Sequence, residues 1–241
     1  MKHPAAVRVV EFAGAGIAAA YAGWLLARMG AQVTRLVSPR PADIRHESPV
    51  QLALEVLADG KTSTPCPTRT SALDALLADC DILLCDTPLA LETIAGPVNE
   101  LAARLPGVVL GISSIFGLDG PYAGYPGTAL DAQALSAVAW SLGEAGREPL
   151  SLPPGIAEHQ AGAMLAAGCL MALSVRDEHQ NDPGQSKGRV VDVALSEVLA
   201  SYVAGNCRVY IHHGLKWARS GRLMVRQIRP LLAPTSSLLC V

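Results

Sequence analysis

The chain has 241 residues, long for one domain and short for two, and half of them are hydrophobic, so a large core is available and global disorder is excluded. Its 19 basic and 21 acidic side chains give a formal net charge of -2, which argues against nucleic acid as the main partner because polyanion-binding proteins carry a basic excess. Aromatic residues make up only 4%, which favours an α/β or all-α class.

The N-terminal part of the chain alternates strand and helix patterns. Residues 7–12 are a β-branched run typical of a buried parallel strand, residues 18–29 carry a helical apolar stripe, and residues 32–37 form a second strand pattern. This β-α-β order is the unit of a doubly wound parallel sheet.

Two further helix and strand pairs follow. Short helices are predicted at residues 72–78 and 97–105, and each leads into an apolar strand, at residues 81–85 and 108–113. The sequence therefore predicts three or four parallel strands, with the main sheet-forming stretch ending near residue 115.

The remainder is expected to be mainly helical, with helices at residues 129–142, 158–176 and 195–203. A short β-branched run at residues 190–193 precedes the last of them. The segment after Glu197 contains no Asp or Glu. It contains six basic residues, which are Arg208, Lys216, Arg219, Arg222, Arg226 and Arg229.

Cysteine usage and the apolar segments bear on the compartment. The six cysteines form no CxxC pair and no His lies at zinc-ligand spacing from them, so reduced thiols and no metal site are expected. Arg8 and Glu11 break the N-terminal apolar stretch, which lacks a signal-peptide layout. The apolar run at residues 161–175 is shorter than the about 20 residues that span a bilayer. A cytoplasmic protein without a membrane partner is expected.

Gly14 and Gly16, between a predicted strand and helix, resemble the dinucleotide fingerprint. A nicotinamide site would also need an acid at the end of the second strand, where residues 37–40 read Val-Ser-Pro-Arg. Close packing of the helix on the strand through small residues is the alternative, although the helix N-terminus could face another phosphate-bearing ligand.

Glu158 and His159 place a carboxylate and an imidazole at the start of an almost wholly apolar helix. Glu in the first turn is favoured by the helix dipole, which is one explanation. The other is a pre-positioned nucleophile or base.

Several segments, in this order, resemble the family III CoA-transferases, also called the CaiB/BaiF family. They are residues 9–12 with 20–33, the GKxS segment at residues 60–63, the FGxDGPYA loop at residues 116–123 and the GxxVDV segment at residues 188–193. The resemblance implies a Rossmann-like large domain, a smaller domain and an interlocked homodimer. It also implies that an acyl-CoA thioester and a carboxylic acid are the substrates, with no permanently bound cofactor.

In the family, a carboxylate, usually Asp, attacks the donor thioester to give a mixed anhydride. CoA thiolate then returns and forms an enzyme-bound thioester that the acceptor acid resolves, which is covalent catalysis by a carboxylate. The resemblance places this nucleophile at Glu158, which keeps the carboxylate and adds one methylene.

The resemblance also implies CoA-binding positions. The loop after the first strand, whose backbone meets the adenine and ribose, corresponds to Ala15, Gly16 and Ile17. Arg69 corresponds to a basic residue that meets the CoA phosphates. An Asn-Phe pair that contacts pantetheine is replaced by Asp86-Thr87, which makes Thr87 a candidate.

Two alternatives remain open. An acyl-CoA racemase or isomerase would use Glu158, with or without His159, for proton abstraction, although the position of the racemase His holds Thr128. An inactive CoA-binding remnant is the other, because an acid common in the family is Ala129 here, with Asp131 two positions on.

Family members usually run well beyond residue 241, and family character fades from about Leu223. Residues 1–200 are therefore expected to form an incomplete large domain, and residues 201–241 the start of a linker or small domain with a basic tail. Truncation or a shifted reading frame is the hypothesis, and translating the gene's downstream frames tests it.

Overall fold

A computed structural model describes residues 7–13, 16–37, 49–67, 70–178, 189–216 and 219. Its core is one six-stranded sheet in the order β3-β2-β1-β4-β5-β6, with every neighbouring pair parallel. The strands are β1 (Arg8–Ala13), β2 (Gln32–Val37), β3 (Thr62–Pro65), β4 (Ile82–Cys85), β5 (Val109–Ser114) and β6 (Arg189–Ala194). The predicted α/β class with a Rossmann-like, doubly wound parallel sheet is confirmed, and the strand order reverses between β1 and β4.

The two edge strands, β3 and β6, are additional to the four strands that the sequence predicts. β3 is polar and mostly exposed, and β6 is only half-buried, so neither has the apolar run of a central strand. β6 pairs with β5 from Val109 opposite Arg189 to Ser114 opposite Ala194. The expectation that the main sheet-forming stretch ends near residue 115 is therefore wrong, because the chain returns to the sheet after a long helical excursion.

Ten described helices connect and cover the strands. They are α1 (Ile17–Arg28), α2 (Pro49–Val56), α3 (Thr70–Leu77), α4 (Pro88–Ala95), α5 (Val98–Arg104), α6 (Ala129–Leu135), α7 (Val138–Ser141), α8 (Ile156–Glu178), α9 (Leu195–Tyr202) and α10 (Ala204–His213). The single helix predicted at residues 129–142 is instead two, because Ala137 is left-handed at φ +63°. The Ser136 hydroxyl donates to the Gln133 carbonyl at the break, a local bond that competes with the helix ladder.

The helices cover both faces of the sheet. β4 alternates between them: Leu84 packs with Leu26 of α1 and Leu165 of α8 on one face. On the other face, Leu83 packs with helices α3, α4 and α5 through Leu77, Leu91 and Leu101. Two apolar layers thus clamp the central strands, as expected for buried parallel β-structure.

α8 lies close against both α1 and the sheet. A Cβ on Gly162 would come within 2.5 Å of the Ala18 carbonyl oxygen, and one on Gly111 of β5 would overlap the Cys169 sulfur. At its far end, Arg176 donates to the Gly107 carbonyl at 2.8 Å and to Asp81 at 3.0 Å, just before β5 and β4 begin. α8 therefore runs beside α1 from the carboxyl to the amino edge of the sheet.

α8 extends beyond the apolar run at residues 161–175, which is too short to span a bilayer. The whole helix has 23 residues, and by length and composition alone it is apolar enough to cross a membrane. One face of it packs into the sheet core through Leu165, Cys169 and Leu173. This packing is that of a core helix.

Candidate functional site

The N-termini of α1 and α8 meet at the carboxyl edge of the sheet. Ile17, the first residue of α1, brings its Cδ1 within 3.4 Å of where a Cβ on Gly155 would lie, and Gly155 is left-handed at φ +85°. In open α/β sheets, ligands bind at this edge where the strand order reverses. Of the predicted CoA-binding residues, Gly16 and Ile17 lie here, whereas Ala15 and Arg69 are outside the described residues.

Asp86 directly follows β4, and its side chain contacts the first turn of α1. Its Oδ2 accepts a hydrogen bond from the backbone N–H of Ala19 at 3.0 Å, satisfying a free donor of the first helical turn. A Cβ on Gly16 would overlap this carboxylate, so the contact requires glycine. Burial raises the pKa of Asp86 to about 6; the Ala19 N–H opposes the shift and the charge of Glu11 adds to it.

The next residue, Thr87, is placed at the same edge. Its hydroxyl oxygen is buried and has no hydrogen-bond partner among the described residues, and the same holds for Asp86 Oδ1. Buried polar atoms are normally hydrogen-bonded, so both atoms can meet a ligand at this edge. Thr87 therefore lies next in the chain to Asp86, the residue whose carboxylate packs against Gly16.

Glu158 lies in the first turn of α8, where the helix dipole favours a negative charge. The residue is half-buried, and its Oε2 is buried without a hydrogen-bond partner in the described part of the chain. A carboxylate oxygen that accepts no hydrogen bond is available to attack an electrophile.

His159 is fixed by two contacts. Its Nδ1 lies 2.6 Å from the Gly155 carbonyl oxygen, and its ring meets the Tyr21 ring edge-on at 4.7 Å. A carbonyl only accepts, so Nδ1 carries the hydrogen, and the lone pair of the neutral ring is at Nε2. Sequence reasoning missed Tyr21, since nothing in the pattern shows which face of α1 meets α8.

The GKxS lysine has a structural partner. Lys61 Nζ lies 2.5 Å from Glu11 Oε2 and donates to the Ala20 carbonyl at 2.7 Å, while Arg35 Nε lies 3.7 Å from Glu11 Oε1. Burial raises the pKa of Glu11 and lowers that of Lys61, and each charge partly offsets the shift of the other. An acid inside a strand buried on both faces is the signal that could have predicted this pair.

Two other motif segments also contact each other. Asp192 of β6 accepts a hydrogen bond at 2.8 Å from the N–H of Leu118, in the FGxDGPYA loop. The preceding N–H, of Gly117, donates to the Ser114 hydroxyl at 2.9 Å, and Gly117 is left-handed at φ +95°. The GxxVDV segment therefore shapes the loop that follows β5.

Asp131 caps its own helix. Its Oδ2 accepts hydrogen bonds from the Thr128 N–H at 2.8 Å and the Thr128 hydroxyl at 2.7 Å, which lower the pKa of Asp131. Both side chains are thus committed to starting α6.

The buried cysteines are poor nucleophiles. Burial raises the pKa of Cys80, Cys85 and Cys169 to about 12, which leaves little thiolate at neutral pH. Among the described residues, no group of His, Cys, Asp and Glu is arranged to hold a metal ion.

Comparison with known proteins gives relatives of one kind. The chain is 28% identical to the succinyl-CoA–D-citramalate CoA-transferase of Chloroflexus aurantiacus, over 95% of this chain and 57% of that protein. It is 30% identical to the cinnamoyl-CoA:phenyllactate CoA-transferase of Clostridium sporogenes, over 69% of this chain and 44% of that one. The chain thus spans about half the length of these two relatives.

Solved structures agree on the fold. A CaiB/BaiF family protein from Brucella suis superimposes with a TM-score of 0.74 at 24% identity, over 89% of this chain and 59% of the other. A hypothetical protein from Mycobacterium tuberculosis gives 0.65 at 22% identity, over 87% and 59%. The sequence model of CoA-transferase family III matches residues 5–229, nearly the whole chain. The chain therefore belongs to CoA-transferase family III.

Proposed function

We propose that the protein moves CoA from an acyl-CoA thioester to a carboxylic acid with Glu158 as nucleophile. The observation that carries this is the Glu158 carboxylate in the first turn of α8, with Oε2 buried and unpartnered in the described part. Its helix begins against Ile17, so the carboxylate lies at the edge where Gly16 and Thr87 also lie. Family membership supports CoA transfer in general.

The proposed reaction proceeds through two mixed anhydrides and one enzyme thioester at Glu158. Glu158 attacks the thioester carbonyl carbon, the C–S bond breaks, and CoA leaves as thiolate. The thiolate attacks the Glu158 carbonyl of the mixed anhydride and releases the donor acid. The acceptor carboxylate then attacks the carbonyl carbon of the Glu158 thioester, the C–S bond breaks, and CoA thiolate leaves a second mixed anhydride. The thiolate attacks the acceptor acyl carbon of this anhydride, and the bond from that carbon to the Glu158 oxygen breaks, which releases the new acyl-CoA and restores the Glu158 carboxylate.

CoA would be bound by Gly16, Ile17 and Thr87, with Ala15 and Arg69 as further contacts. Burial of the Thr87 hydroxyl without a described partner supports its place in this set. The relatives' names pair an acyl-CoA, succinyl-CoA or cinnamoyl-CoA, with an organic acid. We propose the same two substrate classes here.

Trapping the covalent intermediate tests the proposal. The protein is incubated with succinyl-CoA or cinnamoyl-CoA and hydroxylamine, and peptides are analysed by mass spectrometry. We expect a hydroxamate on Glu158 that is absent in Glu158→Ala. Its absence from the native protein, folded and with CoA bound, would contradict the transferase mechanism.

A second candidate is an acyl-CoA racemase or isomerase, favoured by His159. Hydrogen bonding of Nδ1 to the Gly155 carbonyl leaves Nε2 as a base without a partner in the described residues. Thr128 at the racemase His position argues against it. The hydroxamate separates the two, because proton abstraction needs no covalent adduct. CoA binding with neither activity would indicate an inactive remnant.

We also propose a homodimer, supported by α10. None of the described residues of this helix is buried, and Tyr210 and Ile211 are 54% and 74% exposed. We expect analytical ultracentrifugation to show a dimer that Tyr210→Glu with Ile211→Glu dissociates, whereas the control Leu89→Glu, at an exposed position of α4, does not. A native protein that sediments as a monomer at micromolar concentration would refute the proposal.

A further inference from the structure

Asp86 holds its place with one carboxylate oxygen and leaves the other open. Oδ2 accepts from the Ala19 N–H, while Oδ1 is buried and has no partner in the described chain. Gly16 packs directly against this carboxylate. The positive end of the α1 dipole, where a ligand anion would otherwise bind, is thus already occupied by a side-chain charge.

The charges around Asp86 do not neutralise it. Glu11 of β1 acts on it as a second negative charge, and Glu11 is itself paired with Lys61 and flanked by Arg35. Cys85, which precedes it on β4, stays a neutral thiol because burial raises its pKa to about 12. No cation among the described residues forms an ion pair with Asp86.

We propose that Asp86 is a specificity residue that makes binding of the CoA thioester depend on pH: the ionised carboxylate repels the phosphate-bearing ligand, and the protonated acid admits it and donates a hydrogen bond. The identity of the ligand rests on the proposed function. An ionised carboxylate only accepts hydrogen bonds, whereas the acid adds one donor at the open oxygen. Since burial raises the pKa of Asp86 to about 6, the change falls near neutral pH.

Calorimetric titration of the whole protein with CoA from pH 5 to pH 8 tests this, comparing the native protein with Asp86→Asn. Asn keeps an oxygen for the Ala19 N–H and removes the charge. If the ligand raises the pKa of Asp86 by one unit, native binding weakens up to about tenfold across this range relative to the variant. The CoA monophosphate titrates in the same range, so the titration is repeated with dephospho-CoA.

The matched control is Asp79→Asn, which removes an exposed acid just before β4, at the opposite edge of the sheet. It should bind CoA with the native pH profile. Equal pH profiles for the native protein and Asp86→Asn would overturn the inference. Failure of both folded proteins to bind CoA at any pH would overturn the proposed function and this inference with it.

A measurement without ligand distinguishes failure of the inference about Asp86 from failure of the proposed function. In the folded protein the pKa of Asp86 is about 6, above the ordinary aspartate value of 3.8, so the folded state binds the proton more tightly than the unfolded state does. The stability cost of the charge is fully present above pH 6 and is lost as pH falls towards 4. Asp86→Asn should therefore raise the melting temperature at pH 8 more than at pH 4.5. No such difference, with CoA binding intact, would refute the inference and leave the proposed function standing.

Discussion

Replacing Glu158 with Gln is expected to lower the rate of CoA transfer by at least about 1,000-fold, because an amide oxygen cannot form the anhydride or the enzyme thioester. The substitution keeps size and shape, so the half-buried position at the start of α8 stays filled. The fold should be intact, because no described side chain is hydrogen-bonded to Oε2. Initial rates of acyl-CoA formation from a free acid measure the effect.

Two further variants serve as comparisons for Glu158→Gln. Glu158→Asp restores the family's usual nucleophile but withdraws the carboxylate by one methylene, and a shift of about an ångström changes the rate up to about 100-fold. Glu197→Gln removes an exposed first-turn Glu from α9 and controls for loss of a helix-dipole charge, so full activity is expected. Retention of more than about a tenth of native activity by Glu158→Gln would contradict its role as nucleophile.

Replacing Lys61 with Met is expected to lower the free energy of unfolding by about 3–5 kcal/mol, because it leaves the buried Glu11 charge without its main partner. The side chains are 1% and 0% exposed, and Arg35 at 3.7 Å is the one other cation within ion-pair range of Glu11 among the described residues. Urea unfolding measures the change.

A second substitution distinguishes the effect of the unpaired Glu11 charge from the effect of lost packing. Adding Glu11→Leu to Lys61→Met should recover most of the loss, since a buried pair is often replaceable by apolar side chains of similar volume. Arg28→Ala breaks the exposed Arg28–Asp59 pair and should cost at most about 1 kcal/mol. If Lys61→Met costs no more than Arg28→Ala, the buried pair does not stabilise the fold.

The central sheet was predictable because β4 is a continuous apolar run, β1 and β5 are largely apolar, and β2 intersperses apolar with polar residues, all of which are strand patterns. β3 and β6 lie at the edges, where half of each strand faces solvent, so their sequences lack that signature. The position of β6 depends on pairing with β5 over a long sequence separation, which periodicity does not encode.

The candidate site was likewise predicted only in part. Glu158, Gly16 and Ile17 were proposed from residue type and family resemblance, and the structure places them at one edge of the sheet. The capping of α1 by Asp86 and the contact of Tyr21 with His159 were not, because both join residues from separate elements. Only tertiary packing decides such pairs.

The pairing of β6 with β5 also constrains the order of folding. Between Ser114 and Arg189 the chain must first run through α6, α7 and α8, so this pairing closes a long loop and forms slowly relative to local contacts. The hydrogen bond from Leu118 to Asp192 cannot exist before β6 has docked. Until then β5 is an open strand edge, vulnerable to association with other chains, and the loop beside the site acquires its final shape only when that edge closes.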